Sequence, residues 1–237
     1  MSVRLPMFPL GTVLVPHGIL PLHVFEPRYR VLMFDCMRGE PEFGVVLIER
    51  GSEVGGDDQR FGVATVARIA QASELADGRW VVLALGTRRV DVREWLPDDP
   101  YPLALVDERA EHPWPATGSD PATGSDPASG QDPASDPDPA SDQDAADRLA
   151  ETFDGAERAV RRILALAAEL GDEVAPANVE LSEDRAVAAW QLLAVAPIGS
   201  LDKQRLLGID DHAERLRALQ ELAEEQAVLL AYRLKQE

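Results

Sequence analysis

Four histidines, one cysteine and two lysines are the side chains with which this chain of 237 residues could do acid–base, nucleophilic or metal chemistry. His17, His23, His112 and His212 show neither HxxxH nor HExxH spacing, and Cys36 alone cannot make a usual structural zinc set. His17 sits in a Pro-His-Gly turn and His23 inside an apolar run, where a hydrogen-bonded imidazole is expected in preference to a ligand. Cys36 falls on the apolar face of a helix and reads as an inert buried thiol. A single cysteine also excludes an internal disulfide and fits a reducing compartment. Gly55-Gly56 stands beside Asp57 and Asp58, the wrong charge for a phosphate cradle, and no GxxxxGK[ST] run contains Lys203 or Lys235. Asp98-Asp99 reads as a solvated turn between prolines. No nucleophile, base and orienting group can be assembled. Neither a catalytic residue, a cofactor nor a metal is therefore expected, and the chain reads as a non-enzyme.

Charge sorts the partners. The formal net charge is −19, and no stretch carries the local positive excess that several phosphate contacts need. Arg28 and Arg30, and then Arg88, Arg89 and Arg93, come nearest to a basic patch, yet Glu26, Asp35, Asp91 and Glu94 stand among them. These arginines read as structural ion pairs, which argues against nucleic acid, and so acidic a chain is repelled by anionic lipid. The opening stretch from Leu5 to Phe25 contains no Asp, Glu, Lys or Arg and is long enough to cross a bilayer. Pro6, Pro9, Pro16 and Pro21, with Gly11 and Gly18 between them, forbid the helix that a span requires. They also interrupt the apolar run of a signal peptide. No membrane partner is expected, and a cytoplasmic location follows.

The prolines leave short extended pieces buried in a β core, Val3–Met7, Thr12–Val15 and Ile19–Val24. A helix comes next, with Glu26 at its N-cap, Pro27 in its first position and Gly39 as its stop. Tyr29, Leu32, Met33, Cys36 and Met37 recur on its inward face. Phe43–Glu49, Arg60–Ala72, Arg79–Leu85, Arg89–Trp95 and Tyr101–Val106 read as strands, with Asp77-Gly78 as a hairpin turn. In the run beginning at Arg89, Val90 and Val92 point inward while Arg89, Asp91 and Arg93 point outward. Without a βαβ rhythm, the strands predict a mixed barrel.

Residues 116–145 are five hexads: ATGSDP twice, then ASGQDP, ASDPDP and ASDQDA. They hold no aliphatic residue larger than Ala, and read as a disordered Asp/Pro/Ala/Ser linker. Leu149, Phe153, Ala156, Val160, Ile163, Ala167 and Leu170 then trace a long amphipathic helix before Gly171. Ser182 is placed to cap a second helix carrying Val187, Trp190 and Leu193, and Ser200 a third. Asp210 or Asp211 starts a last helix with Leu216, Leu219, Leu222, Ala223, Leu229 and Leu230. The expected architecture is α+β: a β domain over 1–115, the linker over 116–145 and an α-helical domain over 146–237. The amphipathic bundle offers a surface for a homodimer.

Specific residues add to this. FPLGTVLVPHGILPLHVFEPRYR, then FGVVLIE, then DGRWVVLALGTRRV resembles the N-terminal substrate-binding domain of the Lon proteases. LSEDRAVAAWQLLAVAPIGSLDKQRLLGIDDHAERLRALQELAEE is similar to the helices that follow that domain. The likeness spans residues 3–112 and 145–230. It implies a PUA-like β pseudobarrel with one early helix, then a C-terminal α-helical bundle, and a role in engaging other proteins, often damaged or unfolded ones. The departures from a whole Lon protease matter as much. The ATPase phosphate loop is missing from this sequence. Lys203 does lie three residues after Ser200, but within the stretch similar to the non-catalytic helices, where Ser200 reads as a cap. Degradation by this chain is not implied.

These readings converge on a non-catalytic polypeptide-binding module, an adaptor, holdase or regulator of protein quality control, with unfolded or damaged polypeptides and a protease as partners. The alternative is an RNA-binding protein using the PUA-like barrel. Polypeptide recognition needs an exposed apolar groove or a sheet edge. Arg28, Tyr29, Phe61, Trp80 and Trp95 are the candidates, beside Phe8 and Leu10. The aromatic ones also suit a core, and Arg28 suits an ion pair that pins the barrel to the helix.

Overall fold

The computed structural model describes residues 2–50, 59–115 and 139–236. Among them are seven strands, β1 (Val3–Leu10), β2 (Ile19–Val24), β3 (Glu42–Arg50), β4 (Gln59–Arg60), β5 (Val63–Glu74), β6 (Trp80–Leu96) and β7 (Leu103–Glu108). The helices are α1 (Pro27–Arg38), α2 (Pro139–Glu169), α3 (Arg185–Val195), α4 (Ser200–Leu207) and α5 (His212–Leu234). Most of the linker expected at 116–145 lies outside the described residues, but its last hexad belongs to α2, which begins at Pro139. A proline suits the first helical turn, where its missing N–H costs no hydrogen bond.

The sheet closes on itself. Its order is β1-β7-β6-β5-β3-β4, and β1 also pairs with β3. β1 manages both contacts by dividing its length: Val3–Pro6 run antiparallel to β7, and Met7–Leu10 run parallel to β3. β2 is attached outside this ring, to β6 alone. Closure pairs β1 with β3 and leaves β2 with an open edge, and it produces the pseudobarrel that the resemblance implies.

β6 is one strand of 17 residues where two were expected. Its first half pairs with β2 and its second with β7, while β5 runs alongside both. The register shifts as β5 passes from Val66 to Ala67, opposite Arg88 and Gly86. The skipped Thr87 turns its hydroxyl to the Val66 carbonyl at 3.0 Å. Such a bulge bends a strand without ending it, which is why the chain reads as two strands at this point. Thr12–Val15, expected as a strand, forms no ladder. It sends Leu14 into the barrel core and Val15 into the helical core instead, and a Cβ at Gly86 would collide with the Val15 carbonyl oxygen.

α1 starts after Glu26 with Pro27 in its first turn and ends at Gly39, as expected. Tyr29, Leu32, Met33 and Cys36 are buried beneath it, whereas Met37 is 47% exposed. Tyr29 stacks on Phe8 with ring centroids 4.1 Å apart. α3 is capped by Asp184, whose carboxylate accepts from Ala186 and Val187, and not by Ser182. Gly199, not Ser200, is the N-cap of α4, and Asp211 caps α5 by accepting from the Glu214 N–H. α2 and α5 run in the same direction side by side: Gly155 faces Gln220, and Asp172 pairs with Arg233 at 3.7 Å. Leu229, expected inside, is 60% exposed.

The bundle packs directly on the barrel. Val15 belongs to the apolar core built by Phe153, Ile163, Trp190 and Leu219, with Val13, Val63 and Trp114 against it. Arg89 leaves β6 on the side opposite Val90, as alternation requires, but that side is covered by helices and Arg89 is fully buried. Its guanidinium donates to the Leu207 and Ile209 carbonyls, pairs with Glu111 at 2.6 Å and Asp210 at 3.1 Å, and lies over the Trp190 ring. Arg109 reinforces this by reaching Asp210 at 2.6 Å and the Gly208 carbonyl at 2.8 Å. A desolvated arginine is tolerated only when so engaged.

Candidate functional site

Trp80, the first residue of β6, stands between two concavities. One of about 400 Å³ lies against α1, lined by Pro27, Arg30, Val31, Phe34, Glu74 and Gly78. The other, of about 150 Å³, is lined by His23, Val24, Phe25, Leu75, Arg79 and Val81. The hairpin turn that the sequence marks at Asp77-Gly78 places the indole there. Gly78 has φ +76°, and the Arg30 guanidinium lies where its Cβ would stand. Only glycine fits both demands at low cost. Arg79 is held by Asp77 at 2.7 Å, so the charge beside the turn is neutralised locally.

The apolar surface extends away from Trp80 on both sides. On β6 the outward residues are Val81, Leu83 and Leu85, and on β2 their partners are His23, Pro21 and Ile19. Ile19 is 69% and Phe25 58% exposed. On α1, Val31, Phe34 and Met37 also face solvent. Exposed apolar side chains gathered this way stand out on an otherwise strongly charged molecule.

Strand addition at β2 is disfavoured by its own sequence. Gly18 offers its carbonyl to the Gly86 N–H. By the alternation of an antiparallel ladder, Leu20 and Leu22 bond to β6, and Ile19, Pro21 and His23 turn their backbone groups to the open edge. Pro21 has no N–H to offer a docking strand and blunts that edge.

Of the five candidates, Trp80 alone lines these concavities. Tyr29 is buried in the core, and Arg28 lies over its ring while pairing with Glu26 at 3.2 Å. Phe61 and Trp95 pack half-buried against the cluster of Met7, Val46 and Val90, with Arg60 over the Trp95 ring. His23, expected in a buried run, is exposed. Phe25, Phe34, Val81, Leu83 and Leu85 are not among the candidates that the sequence suggests. The signal for Phe34 was present: α1 carries more apolar residues than one inward stripe can use.

The remaining chemistry is structural. His212 lies in the wall of a concavity of about 430 Å³ with His112, Arg148 and Arg217, but both of its ring nitrogens are engaged. Nδ1 accepts from Arg215 at 2.8 Å, since an arginine only donates, so Nε2 carries the proton to the His112 carbonyl at 2.7 Å. Burial holds its pKa below the ordinary histidine value. Lys203, its pKa lowered by burial, donates to the Ala194 carbonyl at 2.9 Å. Burial and the nearby Asp35 push the Cys36 thiol up to about 12, the mark of an unreactive sulfur.

Of the arginines of the nucleic-acid alternative, Arg28, Arg88, Arg89 and Arg93 are held in ion pairs. Arg88 meets Glu42 at 2.9 Å and Glu108 at 3.5 Å, and Arg93 meets Asp107 at 2.7 Å. Partial burial pushes the Glu42 carboxyl up, but hydrogen bonds from Arg88 and Arg68 overcome it and keep the group below the usual carboxylate range. No helix among the described residues is long and apolar enough to cross a membrane.

Known proteins resemble this chain in sequence and in fold. The chain is 31% identical over 113 residues to a Lon protease of Flavobacterium johnsoniae, covering 47% of this chain and 14% of that protein. It is 32% identical over 105 residues to Lon protease 2 of Myxococcus xanthus, covering 44% and 13%. The chain thus spans a small fraction of the length of these relatives. Among solved structures, a Lon N-terminal domain protein from Xanthomonas campestris superposes with a TM-score of 0.55 at 24% identity, covering 92% of this chain and 96% of that one. The N-terminal domain of a Mycobacterium avium complex Lon protease does so at 0.54 and 17% identity, covering 94% and 99%. The fold is therefore that of Lon N-terminal domains. The family model for the substrate-binding domain of the ATP-dependent protease La (Lon) matches residues 4–225, barrel and bundle together. By that match, the chain belongs to the Lon substrate-binding domain family.

Proposed function

We propose that this chain is a non-catalytic polypeptide-recognition module, an adaptor or holdase of cytoplasmic protein quality control, which takes unfolded or damaged segments into the grooves on either side of Trp80. The observation that carries it is the continuity of exposed apolar side chains, from Phe34 and Val31 on α1, past Trp80, to Phe25, Val81, Leu83 and Leu85. An unfolded client presents side chains that a folded one hides, and burial of apolar area drives the contact without directional demands. Neither ATP nor peptide cleavage enters the reading. A protease receiving the captured client is its natural partner, and a bacterial cytoplasm its setting.

The test is binding of a permanently unfolded, carboxymethylated client to the intact chain at low and high salt. Phe25→Glu and Phe34→Glu replace exposed residues and leave the core alone. Each is expected to weaken binding about tenfold, or about 1.4 kcal/mol, with an unchanged melting temperature. Binding by apolar grooves persists at high salt, whereas phosphate contacts would lose orders of magnitude. Unaltered affinity in both variants, or retention of RNA that salt abolishes, would overturn the reading.

A further inference from the structure

A second surface, remote from Trp80 in sequence and chemistry, lies along the groove between the parallel helices α2 and α5. Its floor is small: Gly155 and Ala159 on one side, Ala223 and Ala227 on the other. Its rims are charged in opposite order. Along α2 the exposed ridge reads Glu151, Arg158, Arg162, and along α5 it reads Arg217, Glu221, Glu224. Neither Arg158, Arg162 nor Glu221 has an ion-pair partner among the described residues. Val228 and Tyr232, 70% and 64% exposed, continue the α5 ridge with apolar side chains where a lone bundle would carry polar ones.

We propose that this groove is the interface between two copies of the chain, related by a twofold axis running along it. That operation lays α2 of each copy over α5 of the other without reversing direction. Gly155 stands level with Gln220, so the twofold brings Glu151 to Arg217, and Arg158 and Arg162 to Glu221 and Glu224. The other twofold, perpendicular to the helices, would set Arg158 and Arg162 against their own equivalents and is rejected by charge. The Gly and Ala floor lets the helices approach, and Val228 of each copy covers the exposed Ala165 of the other. Size is sufficient. Helix α5 rises about 35 Å, and two helices with axes about 9 Å apart present roughly 700 Å², close to the ~800 Å² per partner of a standard interface. A C2 interface must be self-complementary in this way.

Sedimentation velocity of the intact chain tests it. A concentration-dependent dimer is expected, weakened by salt. Arg158→Glu with Arg162→Glu, and separately Glu221→Arg with Glu224→Arg, should each weaken self-association about tenfold or more, with unchanged circular dichroism because all four residues are exposed. An equimolar mixture of the two double variants should dimerise again, since each then meets its opposite charge at both rims. The two double variants act from opposite rims, so the loss of fold in one leaves the other to decide. A wild type that stays monomeric, a reversal that leaves the dimer intact, or a mixture that fails to recover overturns the proposal. None of these outcomes depends on client binding at Trp80.

Discussion

Arg89 shows how much one side chain can hold. Fully buried, it satisfies two carbonyls of the α4–α5 turn, two carboxylates and the face of Trp190, and only its second terminal nitrogen lacks a partner. Arg89→Met is expected to cost about 3 kcal/mol, because the carbonyls and carboxylates lose their donor while the methionine supplies none. Arg89→Lys recovers little of this, since an ammonium cannot span the same partners as a planar fork. Chemical denaturation of both variants checks the order. If lysine restores wild-type stability, the guanidinium geometry is not what joins barrel to bundle.

Among the elements, the hairpin joining β5 to β6 sets the site. Gly78 closes the turn with φ +76°, and the Arg30 guanidinium packs against it from α1. Gly78→Ala is expected to destabilise by about 1–2 kcal/mol, combining a left-handed backbone with a Cβ that displaces Arg30. Because that displacement occurs in the wall beside Trp80, client binding should fall more than the stability loss alone predicts, by several-fold in titrations well below the melting temperature. A variant that melts earlier but binds normally would separate the turn from the groove. The long β6 strand that follows is what brings β2, β5 and β7 together; its bulge at Thr87 turns it from one neighbour to the other.

At the scale of the whole molecule, barrel and bundle meet through groups that titrate differently. His212 is kept neutral by burial, below the ordinary 6.5, and faces Arg215 and, less directly, Glu111 and Asp211. Between that lowered value and 6.5 the unfolded chain binds a proton that the folded chain refuses, so stability falls as pH drops through this window. Asp210 is lowered from 3.8, mainly by its hydrogen bond from Arg109. Its contribution is lost only at more acidic pH, as the pH falls through its folded value. Denaturation midpoints at about pH 7 and about pH 5.5 should therefore differ in the wild type and converge in His212→Gln. An undiminished pH slope in that variant would place the titration elsewhere.

The sequence by itself determined the α+β class, the opening stretch as proline-interrupted chain in place of a helix, α1 with its limits, the family resemblance and the inward positions of α2, because proline, glycine and apolar spacing act locally; that part of the opening stretch stays exposed was not legible in it. It also marked Trp80 and the turn beside it. It could not tell that Tyr29 lies in the core, that β6 passes unbroken through a bulge, or that Arg89 points outward into a covered face. Alternation along a strand states which side a residue leaves from, not what waits on that side. That depends on which distant helix is laid there, and only the packing of barrel against bundle decided it.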